Sequence, residues 1–284
     1  MRASTAVFRS ASRRGVILAI GVAMVTAAAA AAGNDTAALS GKRKDDPSFT
    51  YLVPAVVQTP GLEGTQWRTA LSLVNQSGDR AYYRMYYHLP SGSHEATGAL
   101  DNWSTSYYPD VVSRFGLTPG GRYSGTLEIV SDRPIVVCAR IYNQTDDGTF
   151  GQYMPAIAPG VGLPYGEVGI LSMLRRNLDF RTNVGFLNPS EGTCIATVSV
   201  YTYDSGGSPL GSPFAVELAP HRWAQVNDVF EAVGAGGGGY GPAFATVVLD
   251  AEGCELWSYA SVIDNRTGDA TTIPALPLET LPPP

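Results

Sequence analysis

The sequence predicts an all-β protein made of two tandem antiparallel immunoglobulin-like β-sandwiches. Three observations support this prediction. The chain contains an internal repeat, which indicates a duplicated module. Beyond its N-terminal segment it shows almost no helical periodicity, and strand-like segments recur about every ten to fifteen residues. The 32 glycines, 20 prolines and 15 tyrosines suit short strands joined by tight turns.

The repeat consists of similar segments that recur in the same order. The pairs are Trp67-Arg68-Thr69 with Phe180-Arg181-Thr182, Leu73-Val74-Asn75 with Phe186-Leu187-Asn188, Asp110-Val111 with Asp228-Val229, Asn143 with Asn265, and Pro155-Ala156 with Pro274-Ala275. The spacing is 113 residues for the first pair (180 − 67), 118 for the aspartates (228 − 110) and 122 for the asparagines (265 − 143). A feature shared by both copies is most simply a requirement of the fold. A feature present in one copy is where a specific function is expected.

The N-terminal segment is predicted to direct export. Residues 1–32 combine a basic start with the uncharged, alanine-rich run from Val16 to Ala32, as in a secretory signal peptide. An uncleaved membrane anchor is the alternative, because the run approaches the ~18 residues that a span needs. Residues 33–48 are polar and are expected to be a disordered lead-in. We therefore expect an exported protein, periplasmic, on the outer surface or extracellular, without membrane contact after cleavage.

The remaining chain divides into module 1 at residues 49–158, a Pro/Gly-rich linker at 159–166, module 2 at 167–276 and a Pro-rich tail at 277–284. Module 1 is predicted to contain strands at Tyr51–Thr59, Arg68–Val74, Ala81–Leu89, Ser106–Tyr108, Ser124–Val130, Pro134–Tyr142 and Phe150–Ala156. Module 2 is predicted to contain strands at Val168–Met173, Arg181–Leu187, Cys194–Tyr203, Phe214–Leu218, Trp223–Val226, Ala243–Leu249, Glu255–Ile263 and Thr271–Pro274. Short helical turns are expected at Asp110–Phe115 and Asp228–Val233, each followed by a glycine.

Composition argues against several classes of function. The net charge of −6 does not suit a nucleic-acid-binding protein, which needs a basic face for phosphates. The three histidines are scattered, so we expect neither a metal nor another cofactor. No nucleophile elbow, zinc-binding helix or nucleotide fingerprint occurs in the sequence. The chain is therefore predicted not to be an enzyme, with a hydrolase site at the module junction kept as an alternative.

The three cysteines predict one disulfide. Cys194 and Cys254 precede two predicted strands of module 2, and we expect them to pair. A bridge that closes a loop of about 60 residues stabilises a fold by ~4 kcal/mol in the chain-entropy model. Cys138 lies in the apolar run Ile135-Val136-Val137 and has no partner in module 1, so it is expected to be buried.

Two charged pairs recur in the repeat. Arg68 and Arg181 occupy equivalent strand positions, and Asp110 and Asp228 occupy equivalent positions after later strands. We interpret them as structural ion pairs, Arg68 with Asp110 and Arg181 with Asp228, because duplication favours a role in the fold and arginine commonly holds a carboxylate near a core. A polar site in each module is the alternative.

The feature specific to module 1 is an aromatic strand. Tyr83, Met85 and Tyr87 match Ala196, Val198 and Val200 of module 2 and are predicted to face the core. The opposite face then carries four larger polar and aromatic residues, which are Tyr82, Arg84, Tyr86 and His88, and Trp103 follows soon after. Tyrosine and arginine on an open sheet are typical of a protein interface. Such a face could instead stack on sugar rings, or pack against a loop or the other module.

The combined motifs resemble a known group of modules. Three segments are similar to the tandem β-sandwich modules of exported acidobacterial-type proteins. They are Pro60-Gly61-Leu62-Glu63-Gly64-Thr65-Gln66-Trp67-Arg68-Thr69, the module-ending segment Phe150-Gly151-Gln152-Tyr153-Met154-Pro155-Ala156, and Asn227-Asp228-Val229-Phe230. The resemblance extends from Tyr51 to Ala275. That group has no established activity, so it supplies no catalytic residues.

Taken together, these observations predict an exported, non-catalytic binding or adhesion-type protein. Its expected partner is a protein or a glycan at the cell surface. The first alternative is a carbohydrate-binding protein that uses the aromatic sheet face, and the second is the hydrolase at the module junction.

Overall fold

A computed structural model describes residues 48–60 and 66–278 of the chain. Within these ranges the regular structure is strand, apart from a 3-10 helix at Val111–Phe115 and a single α-helical turn, α1, at Val229–Ala232. In this described part, neither helical segment has the length and apolar character that crossing a bilayer requires. The predicted signal peptide, nearly all of the lead-in, the loop at 61–65 and the end of the tail lie outside the described residues.

Module 1 contains eight strands in two antiparallel sheets. The strands are β1 (Phe49–Pro60), β2 (Gln66–Asn75), β3 (Ala81–Leu89), β4 (Gly92–Leu100), β5 (Ser104–Tyr108), β6 (Tyr123–Ser131), β7 (Ile135–Thr145) and β8 (Gly148–Pro155). One sheet has the order β4-β3-β6-β1, and the other has the order β2-β7-β8 with β5 beside β2. The end of β1 also pairs with the start of β2, so this strand belongs to both sheets. Alternate residues of both sheets meet in one apolar core.

Module 2 repeats this strand order, but its described residues show no pairing between the first and second strands. Its strands are β9 (Leu163–Pro164), β10 (Val168–Arg176), β11 (Phe180–Leu187), β12 (Cys194–Thr202), β13 (Phe214–Leu218), β14 (Trp223–Val226), β15 (Tyr240–Leu249), β16 (Glu255–Asp264), β17 (Ala270–Pro274) and β18 (Leu276–Pro277). The sheet β13-β12-β15-β10-β18 corresponds to β4-β3-β6-β1, and β14-β11-β16-β17 corresponds to β5-β2-β7-β8. The two-residue strand β18 has its counterpart in the bridge between Leu52 and Ile157.

The all-β, antiparallel prediction is confirmed, but the strand order differs from that of immunoglobulin constant domains. Those domains place the first, second, fifth and fourth strands in one sheet and the third, sixth and seventh in the other. Here the first strand pairs with the sixth and the second with the seventh, in both modules. The shared feature is therefore the layered antiparallel architecture rather than its connectivity.

The pairing registers refine the repeat by one residue. Asn143 lies opposite Trp67 in the β2–β7 ladder, and Asp264 lies opposite Phe180 in the β11–β16 ladder. The structural counterpart of Asn143 is therefore Asp264, at a spacing of 121 (264 − 143), and not Asn265. Both modules also contain the same bulge in the first strand, between Val53 and Val56 in one and between Leu171 and Leu174 in the other.

A threonine on the second strand clamps the chain just after each bulge. The hydroxyl of Thr69 accepts from the amide of Val57 at 2.8 Å and donates to the carbonyl of Val57 at 3.0 Å. Thr182 makes the same two bonds with Arg175, at 3.2 and 2.7 Å. Both threonines are fully buried. The repeated threonine of the Arg-Thr motif is thus explained by the fold.

A buried asparagine ends the second strand in each module. Asn75 donates to the carbonyls of Asp79 and Leu100, and its side-chain oxygen accepts from the Ser77 amide. Asn188 donates in the same way to Gly192 and Leu218. These side chains tie the turn after the second strand to the end of the fourth strand, so their role is larger than that of an ordinary turn residue.

The predicted disulfide is confirmed, and the linker is held against module 2. Cys194 and Cys254 are joined with their Cα atoms 5.8 Å apart, which connects the β12 sheet to the β16 sheet. Within the linker, β9 pairs with the start of β16. The carboxylate of Glu255 accepts from the amides of Gly160, at 2.8 Å, and Gly162. The linker is therefore a fixed edge of module 2.

Two strands of module 1 differ from the sequence-based expectations. The strand β4 was not predicted, because Gly92–Leu100 is rich in residues of low strand propensity. It forms because it pairs with β3 along its whole length, and Gly98 leaves room for the ring of Tyr83. Cys138 is exposed rather than buried. Its neighbours Val137 and Ala139 face the core, so the two-residue period of a strand turns the thiol outward.

Replacing Thr69 with valine is expected to destabilise the protein by about 1–3 kcal/mol, because the change keeps the side-chain shape and leaves two buried backbone groups of Val57 unpaired. Thr182→Val should have an effect of the same size. Chemical denaturation of each variant measures this free energy of unfolding. The exposed Thr97 on β4 provides the control, since Thr97→Val is expected to change stability by no more than about 0.5 kcal/mol. Equal effects at all three positions would show that the clamp is unimportant.

The exposed thiol of Cys138 is expected to react with a thiol reagent in the native, unreduced protein at high dilution. Labelling should be abolished by Cys138→Ser, because Cys194 and Cys254 are consumed by their disulfide. Mass spectrometry of the labelled protein reports the number of groups added. A thiol that reacts only after unfolding would contradict the outward orientation of Cys138.

Candidate binding surfaces

Strand β3 separates its side chains onto two faces as predicted. Tyr83, Met85 and Tyr87 are buried in the core of module 1. The opposite side carries Tyr82, Arg84, Tyr86 and His88, of which Tyr82 is the most open with 51% of its surface exposed. We call these four residues the β3 outer face. Their matching positions in module 2 carry Ile195, Thr197, Ser199 and Tyr201, so the combination of aromatic and basic residues is specific to module 1.

An ion pair and a histidine–carboxylate contact cross the β3 outer face. Arg84 lies 3.8 Å from Glu95 on β4, and His88 Nε2 lies 2.8 Å from Glu128 on β6. The other ring nitrogen of His88 is 2.8 Å from the hydroxyl of Ser93. Tyr86 stacks beside His88, with ring centroids 6.4 Å apart. The polar groups are thus fixed in position by neighbouring strands, and the tyrosines lie among them.

Trp103 occupies a different part of module 1. It lies in the turn between β4 and β5, and its backbone amide donates to the carbonyl of Asn75. Its backbone is in the left-handed region with φ of 58°, and 76% of its surface is exposed. Few bulky residues adopt this conformation. The structure therefore presents an open indole in the turn between β4 and β5.

The two modules are joined by an apolar contact with hydrogen bonds around it. Leu187, Trp257 and Tyr259 of module 2 belong to the same buried cluster as the core of module 1. The hydroxyl of Ser261 donates to Gln152 at 2.9 Å, and Arg222 donates to the carbonyl of Leu89 at 2.7 Å. Further bonds join Thr272 to the Tyr153 carbonyl and the Gly151 amide to Asp269. The mutual orientation of the modules is therefore specified by buried contacts.

A groove of about 370 Å³ opens beside this contact. Its lining residues come from distant strands of module 2 and from β8 of module 1, and they are Phe150, Met173, Arg175, Phe180, Val262, Asp264, Thr267, Asp269, Thr271 and Ile273. A second hollow of about 620 Å³ shares Met173 and Arg175 and extends to Gly239 and the first residues of β15. Sequence analysis did not identify these residues, because no local motif joins them.

The carboxylates in the groove have structural partners. The side chain of Asp264 accepts from the amides of Arg266 and Thr267, and these bonds, with that of Thr267 the stronger, lower the pKa of Asp264. Asp269 accepts from the Gly151 amide of module 1. The guanidinium of Arg175 lies 4.8 Å from the ring centre of Phe180. The groove therefore combines apolar walls with charges that are fixed by the protein itself.

The predicted ion pair between Arg181 and Asp228 is wrong. Asp228 pairs instead with Arg176, at 2.7 Å, and caps the start of α1. Arg181 donates to Asn265 at 2.6 Å. Burial lowers the pKa of Arg181, and the nearby charge of Asp228 opposes this effect. Sequence spacing identified Asp228 but assigned it to Arg181. Its actual partner, Arg176, lies at the end of β10 and outside the repeated motif.

The predicted pair in module 1 is also not formed as expected. Arg68 lies close enough to influence the charge of Asp110 but makes no ion pair with it among the described residues. The matching position to Arg176 is Gln58. With its side-chain amide oriented to satisfy both polar atoms, Gln58 donates to the Asp110 carboxylate at 3.1 Å and accepts from the Gly120 amide at 3.2 Å. One carboxylate oxygen of Asp110 is buried without a partner. Burial raises the pKa of Asp110, and the Arg68 charge only partly opposes this.

Comparisons with known proteins give no relative. No family model matches the chain, and no curated protein or solved structure matches it. Within the described ranges, no three histidine, cysteine, aspartate or glutamate side chains lie together as a metal site would require.

The raised pKa of Asp110 predicts that Asp110→Asn stabilises the protein at neutral pH. The carboxyl group of Asp110 binds its proton more tightly in the folded state than in the unfolded chain. Its contribution to stability therefore falls as the pH rises from the ordinary pKa of 3.8 through the raised pKa of the folded state. The advantage of the variant should therefore disappear in acid. Denaturation curves measured across this pH range test the sign.

Asp228→Asn is the matched comparison. It removes the charge that pairs with Arg176 and should cost about 1–3 kcal/mol at neutral pH. Opposite signs for the two variants are the expected result. A loss of stability at neutral pH in Asp110→Asn similar to that in Asp228→Asn would show that the Asp110 charge is well compensated.

Proposed function

We propose that this chain is an exported, non-catalytic binding protein that contacts a protein partner at the cell surface through the β3 outer face. The observation that carries the proposal is the difference between the copies. The same strand position carries tyrosines, arginine and histidine in module 1 and mainly smaller residues in module 2. Because the two modules have the same strand order, the fold does not require this face.

The chemistry of the face favours a protein over other partners. Tyrosine and arginine are enriched at protein interfaces, where they combine apolar area with hydrogen bonding. Here the charged groups are held by Glu95 and Glu128, so little side-chain freedom is lost on binding. Arg80 lies 5.6 Å from the ring centre of Tyr82, which leaves one side of that ring for a partner.

Carbohydrate binding is the second candidate, favoured by the open indole of Trp103. Exposed aromatic rings can stack on sugars, and Trp103 is held in a strained turn that keeps it outward. The hydrolase alternative has weaker support. The carboxylates at the module junction accept backbone hydrogen bonds, and the depressed pKa of Asp264 does not suit a general acid.

Export and an immunoglobulin-like architecture are parts of the same proposal. The disulfide is compatible with an oxidising compartment. Sandwich domains at cell surfaces share their layered architecture more widely than their strand order. The tandem modules of exported acidobacterial-type proteins remain the family that the sequence motifs resemble.

The protein with Tyr82→Ala and Tyr86→Ala is expected to lose at least tenfold in affinity for its surface partner, a usual loss when aromatic anchors are removed. Capture from the native envelope and culture medium, followed by titration of the captured protein, measures this. Ile195→Ala together with Ser199→Ala changes the same positions of module 2 and is the matched control. Unchanged affinity in the tyrosine variant would refute the β3 outer face as the site. Binding to a purified polysaccharide that Trp103→Ala abolishes would favour the carbohydrate alternative.

A further inference from the structure

The two modules touch through different surfaces of the same fold. Module 1 contributes the side between β1 and β8, which we call the socket, with Leu52, Met154 and Ile157. Module 2 contributes the outer face of β11 and β16, which we call the plug, with Leu187, Trp257 and Tyr259. A contact between unlike surfaces of equivalent units is heterologous, so each unit retains one unused surface.

The unused socket belongs to module 2. The strand registers assign Ile170, Ile273 and Leu276 to the positions of Leu52, Met154 and Ile157. Ile157 is 8% exposed in the closed socket, whereas Leu276 is 61% exposed. The groove of about 370 Å³ runs along this side and includes Ile273 in its wall. The socket of module 1 is therefore covered by module 2, whereas the equivalent surface of module 2 stays open.

The unused plug belongs to module 1. By the registers of β2 and β7, the counterparts of Leu187, Trp257 and Tyr259 are Val74, Val136 and Cys138. Trp257 is 9% exposed in the contact, whereas Val136 is 55% exposed. Tyr153 lies on the same outer face and is also largely exposed. An apolar strip on an open sheet face is thus left without cover.

The charges of the two unused surfaces are complementary. Arg140 lies on the plug of module 1, at the position of Ser261. The open socket contains the carboxylate of Asp264, whereas that of Asp269 already accepts from the Gly151 amide of module 1. Arg175 also lines the socket, but its guanidinium lies over the ring of Phe180. Opposite charges on the two surfaces favour their encounter and set its direction.

We propose that the chain associates head to tail with a second copy of itself, the plug of module 1 in one copy entering the open socket of module 2 in the next. The intramolecular contact between the modules is the template for this association. Because a heterologous contact leaves a free plug and a free socket at the ends, repeated association gives an open chain or a closed ring. The β3 outer face takes no part, so this proposal is independent of the proposed function.

Sedimentation velocity across a wide range of concentrations tests the association. Cys138 is left unchanged because it belongs to the plug, and non-reducing gel electrophoresis of the same samples detects any disulfide between copies. Oligomers that grow with concentration are expected. Leu276→Asp blocks the socket and Val136→Asp blocks the plug, and each should weaken association at least tenfold. Both positions are exposed in the monomer, so folding should be unaffected. Ile195→Asp, at an exposed apolar position on neither surface, is the matched control.

Mixing the two blocked variants distinguishes head-to-tail contact from other geometries. Leu276→Asp retains an intact plug and Val136→Asp retains an intact socket, so an equimolar mixture should form a one-to-one dimer and nothing larger. A protein that stays monomeric at all concentrations overturns the proposal. Oligomers that either single variant leaves intact, or variants that fail to form the mixed dimer, overturn it as well.

Discussion

The bond between a threonine hydroxyl on the second strand and the backbone of the first decides how each module closes. At the bulge the register between the first and sixth strands of module 1 shifts, and beyond Gln58 the first strand pairs with the second strand in the opposite sheet. Close to this transition, the hydroxyl of Thr69 accepts a hydrogen bond from the amide of Val57 and donates one to the carbonyl of Val57. Buried backbone groups need such partners. In module 1 this side chain supports a strand that belongs to both sheets. Thr182 makes the same two bonds in module 2, where the described residues show β10 paired within one sheet.

Equivalent positions of the two modules carry different residues beside the aspartate that both modules share. The position after the clamp is Gln58 in module 1 and Arg176 in module 2, and each faces the aspartate before the helical segment. An amide stabilises a carboxylate less than a guanidinium does, since only the latter carries a charge. The carboxylate of Asp110 is accordingly less well compensated than that of Asp228, and one of its oxygens has no hydrogen-bond partner. The copies thus share a backbone while the electrostatics at equivalent sites have diverged.

Sequence reasoning succeeded where a local period controls the structure. The alternation in β3 placed Tyr83 and Met85 in the core, and strand positions placed Cys194 near Cys254. It failed where tertiary context decides. The strand β4 has weak propensity and depends on β3, and Cys138 faces outward because the period of its strand outweighs the apolar character of its neighbours. The groove could not be predicted, because residues such as Phe150 and Met173 meet only after both modules have formed and docked.

The plug of module 2 has larger apolar side chains than the plug of module 1, and their environments explain this difference in size. Trp257 and Tyr259 are covered as soon as the chain folds, so their large apolar area is never presented to water in the native state. Val136 and Cys138 stay exposed in a single copy, and a tryptophan there would create an apolar patch that promotes nonspecific aggregation. A contact made between copies has to be weaker than one made within a chain, because association also costs translational and rotational freedom. Smaller side chains with a guiding charge, as in the plug of module 1, suit a contact that forms only when the local concentration of the protein is high.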